Sequence, residues 1–349
     1  MKIALITDAW PPQVNGVVRT LVRTVQLLEE QGHELLLVTP DQFRTVPVPT
    51  YPEIPISLFP GRKVRRMLDR FQPEAIHIAT EGTLGWAARR YCLKRKLAYS
   101  SAYHTRFPEY VRLRAPIPLA WSYAFMRRFH NKAERTMVAT PSLQRELEMK
   151  GFRNLVSWSR GVDIERFRPE PRERLLSKQP VFLYLGRVAV EKNIEAFLEL
   201  ELPGQKHVIG DGPALGDLKL RFPGVRFFGY LENGELVRAL AGADVMVFPS
   251  RTDTFGLVML EAMACGVSVA AYPVPGPVDI IHNGVNGWVD EDLRSAALNA
   301  LRVNRESCRR FAEGYSWDTC TRQFLKNLCP VAATPDSIVE DSGPREAGV

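Results

Sequence analysis

A chain of 349 residues, 45% hydrophobic and 24% charged, has an ordinary globular composition and enough length for two domains with a core each. Its net charge of +7 is uneven: residues 1–165 hold 25 Lys and Arg against 15 Asp and Glu, and the remainder holds 21 against 24. This excludes a uniformly basic protein and assigns any anionic partner, whether nucleic acid, membrane surface or acidic substrate, to the first half.

In chain order, Met1–Trp10 has no long apolar core or cleavage site and reads as a first strand, Lys2–Thr7, not a signal peptide. Further strand-like runs are Glu34–Thr39, Ala75–Ile78, Leu97–Tyr103 and Thr136–Thr140. A second series follows at Val181–Leu185, Lys206–Ile209, Val225–Phe228, Val245–Phe248 and Val267–Ala271. Helical spacing lies between them, as in Val17–Glu30 and Glu232–Ala241. The alternation predicts an α/β protein with parallel sheets covered on both faces. The Pro-, Arg- and Glu-rich stretch 161–180 is the expected boundary, and the polar stretch 331–349 the expected disordered tail. No apolar run approaches the 18 residues of a membrane span. The five cysteines are odd in number and widely spaced, without a CxxC pair, so free thiols in a reducing compartment and no zinc site are expected.

Three segments carry candidate chemistry. The loop Asp8–Val17 follows the first strand and brings Gly16 to a helix start, where backbone N–H groups can meet an anion. A plain Pro-Pro and Asn-Gly turn fits it equally well, and the absence of GxGxxG argues against a dinucleotide dehydrogenase. Next, Gly186-Arg187 ends a buried strand, and Lys192 follows near an expected helix start at Glu191. Arg187 and Lys192 are either solvated cations or the binders of a diphosphate, one as a planar fork and one as a point charge. The segment Pro249–Gly266 is the most informative: a strand end leads to Asp253 at an expected helix start and to Glu261 inside an apolar run. Eight residues at helical rise cover about 12 Å, comparable to the span from a donor sugar to a nucleotide ribose. A carboxylate among Leu260, Ala262, Met263 and Ala264 needs a partner.

The acid pair Asp253-x7-Glu261, with Gly186-Arg187 and Lys192 upstream, resembles the retaining glycosyltransferases of family 4, which have the GT-B fold of two Rossmann-like domains facing a cleft. Gly210-Asp211-Gly212-Pro213, Ala243–Ser250 and Asn283-Gly284-Val285-Asn286-Gly287 resemble further motifs of that family in the same order, and the likeness runs from residue 1 to about 328. It implies an acceptor-side domain over 1–165, a nucleotide-sugar domain over 166–315 and a helix over 316–330 that packs back on the first domain. It places Gly16, Arg187 and Lys192 on the donor phosphates, Glu261 on the ribose hydroxyls and Asp253, where the family has Glu, on the sugar. Phe255, Gly256, Leu257 and Val258 fall on the donor, the last two through backbone N–H groups. His104 matches the first-domain histidine near the reacting sugar. No Asp-x-Asp motif precedes the cleft, Val289–Asp292 reads as helix capping, and no metal is expected. Attack on the same face as the leaving group implies no carboxylate nucleophile.

Thr7–Val17, Arg251–Gly256 and His104–Tyr110 resemble most the branch of sulfolipid synthases, lipid α-mannosyltransferases and glycosyl-diacylglycerol synthases. The resemblance implies UDP-glucose or UDP-glucuronate as donor and diacylglycerol as acceptor. It places the enzyme in the cytoplasm, peripheral on the inner membrane face. A GDP-mannose-dependent transferase is the alternative, and a sugar-nucleotide epimerase a distant one. The basic runs Arg62–Arg66, Arg89-Arg90 and Lys94–Lys96, and the stretch Ile117–Phe129 with Trp121, Tyr123, Phe125 and Met126, suit an anionic membrane surface. No stacking aromatics among the basic residues and no nucleic-acid module are found, so no nucleic-acid partner is expected. Arg106 alternates to the same side as His104 if the segment stays extended. It either forks onto a uronate carboxylate or pairs with Glu109 and holds the Phe107-Pro108 turn.

Overall fold

All ten apolar runs become strands, and Ala75–Ile78, Ser100–Ala102, Val245–Phe248 and Ser268–Ala271 are buried along their whole length, as expected of parallel sheets covered on both faces. The computed structural model describes residues 1–48, 51–113, 115–171 and 179–331. The first sheet comprises β1 Lys2–Ile6, β2 Glu34–Val38, β5 Ala75–Ile78, β6 Ser100–Ala102, β7 Arg135–Val138 and β8 Leu155–Ser157. Between β2 and β5 a separate antiparallel hairpin, β3 Thr45–Val48 and β4 Tyr51–Ser57, sets Thr45 opposite Ser57. The second sheet comprises β9 Val181–Leu185, β10 Gln205–Ile209, β11 Arg226–Gly229, β12 Val245–Phe248, β13 Ser268–Ala271 and β14 Gly287–Val289. The strand orders are β2-β1-β5-β6-β7-β8 and β11-β10-β9-β12-β13-β14, with every neighbouring pair parallel.

These orders decide where a ligand can sit. The chain leaves β1 toward β2 on one side and returns to β5 on the other. It does the same around β9, between β10 and β12. Ligands of open α/β sheets occupy the crevice beyond the carboxyl ends of such strands, where the helices on the two faces diverge. Here those ends carry Asp8–Gly16 and Gly186–Lys192.

The hairpin and the short strands β8 and β14 are absent from the expected elements. Pro47, Pro52 and Pro55 remove ladder donors, so the hairpin does not read as a strand and survives only as a two-stranded edge structure. The other two are three-residue edge strands, too short for a periodic signal. The helix Trp317–Asn327 returns to the first sheet, where Cys320 and Phe324 pack with Ile3, Leu5, Leu21 and Trp158. Trp158 Nε1 donates to the Cys320 carbonyl at 3.2 Å. Val331 donates to the Glu74 carbonyl, and the remainder of the expected tail and residues 172–178 of the expected boundary lie outside the described residues.

Candidate active site

Two helix N-termini oppose each other across the crevice. Asn15 caps the helix Gly16–Glu30 by accepting from Val18 N at 3.0 Å, and Gln13 steadies the preceding loop by donating to the Asp8 carbonyl. From the second sheet, the helix Leu257–Ala264 points its own N-terminus back, so that a Cβ on Gly16 would lie 3.5 Å from Leu257 Cδ1. Gly256 begins that helix at φ +84, and a Cβ there would stand 2.9 Å from the Phe248 ring. Both constraints demand glycine. The first-turn N–H groups of Leu257 and Val258 have no partner within their own helix and make a ready anion site.

The helix starts four residues later than the acid spacing suggested. Asp253 is therefore neither its cap nor its first turn but part of the loop before it, and the eight-residue span to Glu261 is only half helical. The segment after Gly186 also differs. Val190–Lys192 is a single 3-10 turn, closed by Asn193 at φ +52, and the helix proper is Glu195–Leu198. Asn193 Nδ2 donates to the Pro249 carbonyl, which ties this turn to the Asp253 loop. Gly210 packs its backbone directly on this loop: a Cβ would fall 1.8 Å from the Gly186 carbonyl oxygen.

The result is a line of charges along the crevice. Lys192 Nζ lies 2.6 Å from Asp253 Oδ1 and 3.5 Å from Tyr110 OH, which reaches over from the first domain. Burial opposes the Lys192 charge, but Asp253, with Tyr110 and Tyr184, together more than offset it and the ammonium is held above its usual range. The second Asp253 oxygen is buried with no hydrogen bond. Arg187 Nε stands 3.8 Å from Glu191 Oε1. One turn into the facing helix, Glu261 is 7% exposed and bonds Arg19 Nη1 at 2.7 Å, while its other oxygen is also without a hydrogen bond. Burial raises the Glu261 carboxyl and Arg19 partly opposes that rise. Among the described residues no three His, Cys, Asp or Glu side chains group as metal ligands, and Asp292 caps the helix Leu293–Ala300.

His104 lies just past β6, where its carbonyl accepts from Thr254 Oγ1 at 2.8 Å across the crevice. Its Nδ1 sits 3.1 Å from Arg160 Nη2, a group that can only donate. The imidazole is therefore neutral, with its proton on Nε2, an atom buried without a hydrogen bond. Burial first, then the Arg160 charge, hold its pKa well below the usual value, and burial alone takes His77 to about 3. Both residues protonate in the unfolded chain near pH 6.5 but not in the folded one, so stability falls as the pH drops below that point. Between pH 7 and pH 5 His77 contributes a loss of about 2 kcal/mol, and His104 a further loss in the same direction. His104→Gln is expected to remove its share of the difference, read as urea midpoints at the two pH values. An unchanged pH dependence would contradict the buried neutral imidazole.

Arg106 is not available to a sugar carboxylate. It is 6% exposed and spans Glu146 with both terminal nitrogens, and Glu109 lies 3.6 Å away. The segment does not stay extended: Phe107–Arg112 turns helical directly after it, which sends the side chain toward the helix Pro141–Met149. Four further residues escaped the sequence reading. Asp8 is a buried carboxylate that accepts from Leu84 N, Gly85 N and Thr80 Oγ1, so the strand-end loop is moored to the helix Thr83–Arg95. Arg19, Tyr110 and Arg160 each act on a partner from a distant segment, which no local spacing announces.

Two family descriptions divide the chain: residues 14–166 match Glycosyltransferase Family 4, and residues 179–303 match Glycosyl transferases group 1. The sulfoquinovosyl transferase SQD2 of Arabidopsis thaliana is 30% identical over 93% of this chain and 72% of its own length. The chain belongs to the family 4 glycosyltransferases. This glycosyltransferase is also 29% identical, over 97% of its length and 91% of the relative, to a GDP-mannose-dependent alpha-mannosyltransferase of Corynebacterium glutamicum. An alpha-monoglucosyldiacylglycerol synthase of Streptococcus pneumoniae is 27% identical over 86% and 78%. Sucrose-phosphate synthase from Thermosynechococcus elongatus superposes with a TM-score of 0.71 at 19% identity, covering 93% of this chain and 97% of that one. That likeness shows the fold, the two-domain GT-B arrangement.

Proposed function

We propose that this glycosyltransferase moves glucose or glucuronic acid from its UDP donor to diacylglycerol, with retention and without a metal, at the inner face of the cytoplasmic membrane. The observation that carries the reading is the Lys192–Asp253 pair beside the open N-terminus of the Leu257–Ala264 helix, with the buried Glu261 carboxylate one turn further in. The distribution suits a nucleotide sugar end to end: Glu261 accepts from ribose hydroxyls, Leu257 and Val258 N–H groups and the Lys192 and Arg187 cations meet the diphosphate, and Asp253 accepts from the sugar. As the bond from sugar to phosphate breaks, its electron pair leaves on the diphosphate, where fixed cations and helix N–H groups stabilise the growing charge in place of a metal. The acceptor hydroxyl attacks from the same face and passes its proton to the departing phosphate oxygen. His104 offers an Nε2–H donor to the sugar.

The acceptor side rests on the first domain's surface. Phe59 stands 96% exposed immediately before a helix, Gly61–Phe71, whose Arg62, Lys63, Arg65 and Arg66 are all exposed. Trp121 is 72% exposed and Phe125 projects beside it, whereas Tyr123 and Met126, expected on the same face, are core residues. Apolar tips among cations fit an anionic bilayer surface. No helix among the described residues is long and apolar enough to cross a membrane.

A second reading, a GDP-mannose donor, is favoured by the similarity to the Corynebacterium enzyme over nearly the whole chain. One experiment separates them. Purified protein is given UDP-glucose, UDP-glucuronate or GDP-mannose with diacylglycerol in anionic or neutral vesicles, with and without excess EDTA, and products are read by mass spectrometry. Transfer from a UDP-sugar that survives EDTA and is faster on anionic vesicles at low salt is expected. Exclusive use of GDP-mannose, or activity abolished by EDTA and restored by magnesium, overturns the corresponding part.

A further inference from the structure

The ribose-binding carboxylate lies in one domain, and the cation that holds it lies in the other. We propose that Arg19 is a positioning residue for the donor nucleotide, keeping Glu261 ionised and oriented so that its remaining oxygen is presented to the ribose hydroxyls. The inference rests on the reading of Glu261 given above.

The geometry is specific. Arg19 sits one turn into the helix Gly16–Glu30, on the side that faces the second domain, and its Nη1 is 2.7 Å from Glu261 Oε1. Only one carboxylate oxygen is used, and Oε2 is buried and has no hydrogen bond. A carboxylate sealed in an apolar helix has a strong tendency to take up a proton and so lose its capacity as a double acceptor. Burial pushes Glu261 in that direction. The charges that oppose it are Arg19, the larger, and Arg166. The other cations packed nearby are turned elsewhere. On the helix Arg305–Glu313, Arg305 donates to the carbonyls of Ala241, Ala243 and Cys265, and Arg309 to those of Ile164, Phe167 and Ala264. Cys265, one turn along the helix from Glu261, is buried and held neutral, its thiol pushed up to about 12.

The test uses the whole protein and calorimetric binding of UDP and GDP from pH 5.5 to 8.5, with the tighter nucleotide followed in wild type, Arg19→Gln, Arg19→Lys and Glu261→Gln. Thermal unfolding of each variant verifies its fold. In wild type, affinity falls toward acid as Glu261 protonates. Arg19→Gln is expected to move the midpoint of that fall upward and to weaken binding most at the acid end of the range, with the loss shrinking toward pH 8.5. Arg19→Lys, which returns the charge, is expected to recover most of both. Glu261→Gln is expected to bind weakly and to keep only the pH dependence of the nucleotide's own terminal phosphate, which titrates at about pH 6. A loss in Arg19→Gln that is the same at every pH would assign Arg19 to the phosphates and overturn the inference, as would an unshifted midpoint. If Glu261→Gln binds like wild type, the ribose assignment itself fails, and the inference with it.

Discussion

Replacing Lys192 with alanine is expected to lower kcat by about 10²–10³-fold, the loss typical of removing one fixed donor from a developing anion. The same substitution strips Asp253 of its 2.6 Å partner, leaving a carboxylate whose second oxygen already has no hydrogen bond. Removing one member of a buried pair costs about 3–5 kcal/mol, and the partial exposure of both side chains puts this one near the lower limit. The two effects can be separated. Adding Asp253→Asn to Lys192→Ala removes the stranded charge and is expected to return most of the stability, read from urea unfolding. The rate does not return, because the diphosphate still lacks its cation. A Lys192→Ala protein that is folded and turns over within tenfold of wild type would sink the leaving-group role.

Arg106→Ala is expected to destabilise the protein by about 3 kcal/mol, since it leaves Glu146 and Glu109 inside the first domain with Lys150 as their remaining cation. Activity should fall with it, because the helix Phe107–Arg112 is held by this cluster and carries Tyr110 to Lys192. Tyr123 completes the cluster, donating to Glu109 and accepting from Lys150 at 2.6 Å. The loss is expected to be equal on UDP-glucose and UDP-glucuronate. A tenfold greater loss on the uronate, about 1.4 kcal/mol of discrimination, would restore the carboxylate-binding role that the fold has given to Glu146 instead.

A short stretch of chain expresses only local features, and those are the ones that can be read from it. Buried parallel strands read as apolar runs, so β1, β5, β9 and β12 were legible, and so was the place, though not the helix starts, of the loops after β1, β9 and β12. Glycines with no room for a Cβ, at Gly210 against Gly186 and at Gly256 against Phe248, left a spacing that could be read with Arg187, Lys192 and the Asp253–Glu261 acids. Where the local rule is bent, the signal is lost: prolines hide a hairpin, and an acid eight residues before another reads as helical although half the interval is a loop.

Which charge meets which depends instead on how distant segments pack. Arg106 carries the same charge whether it meets Glu109 three residues away, Glu146 forty residues away or a uronate, and the turn into Phe107–Arg112 makes the choice. Arg19 and Glu261 are 242 positions apart, and they meet because two switch points of two sheets face one crevice. The His104 tautomer follows from a guanidinium 56 residues downstream. Strand and helix signals are periodic and local, so sequence holds them. The pairing and ionisation of a buried charge depend on which other charge is packed within a few ångströms, and packing between distant segments has no period to read.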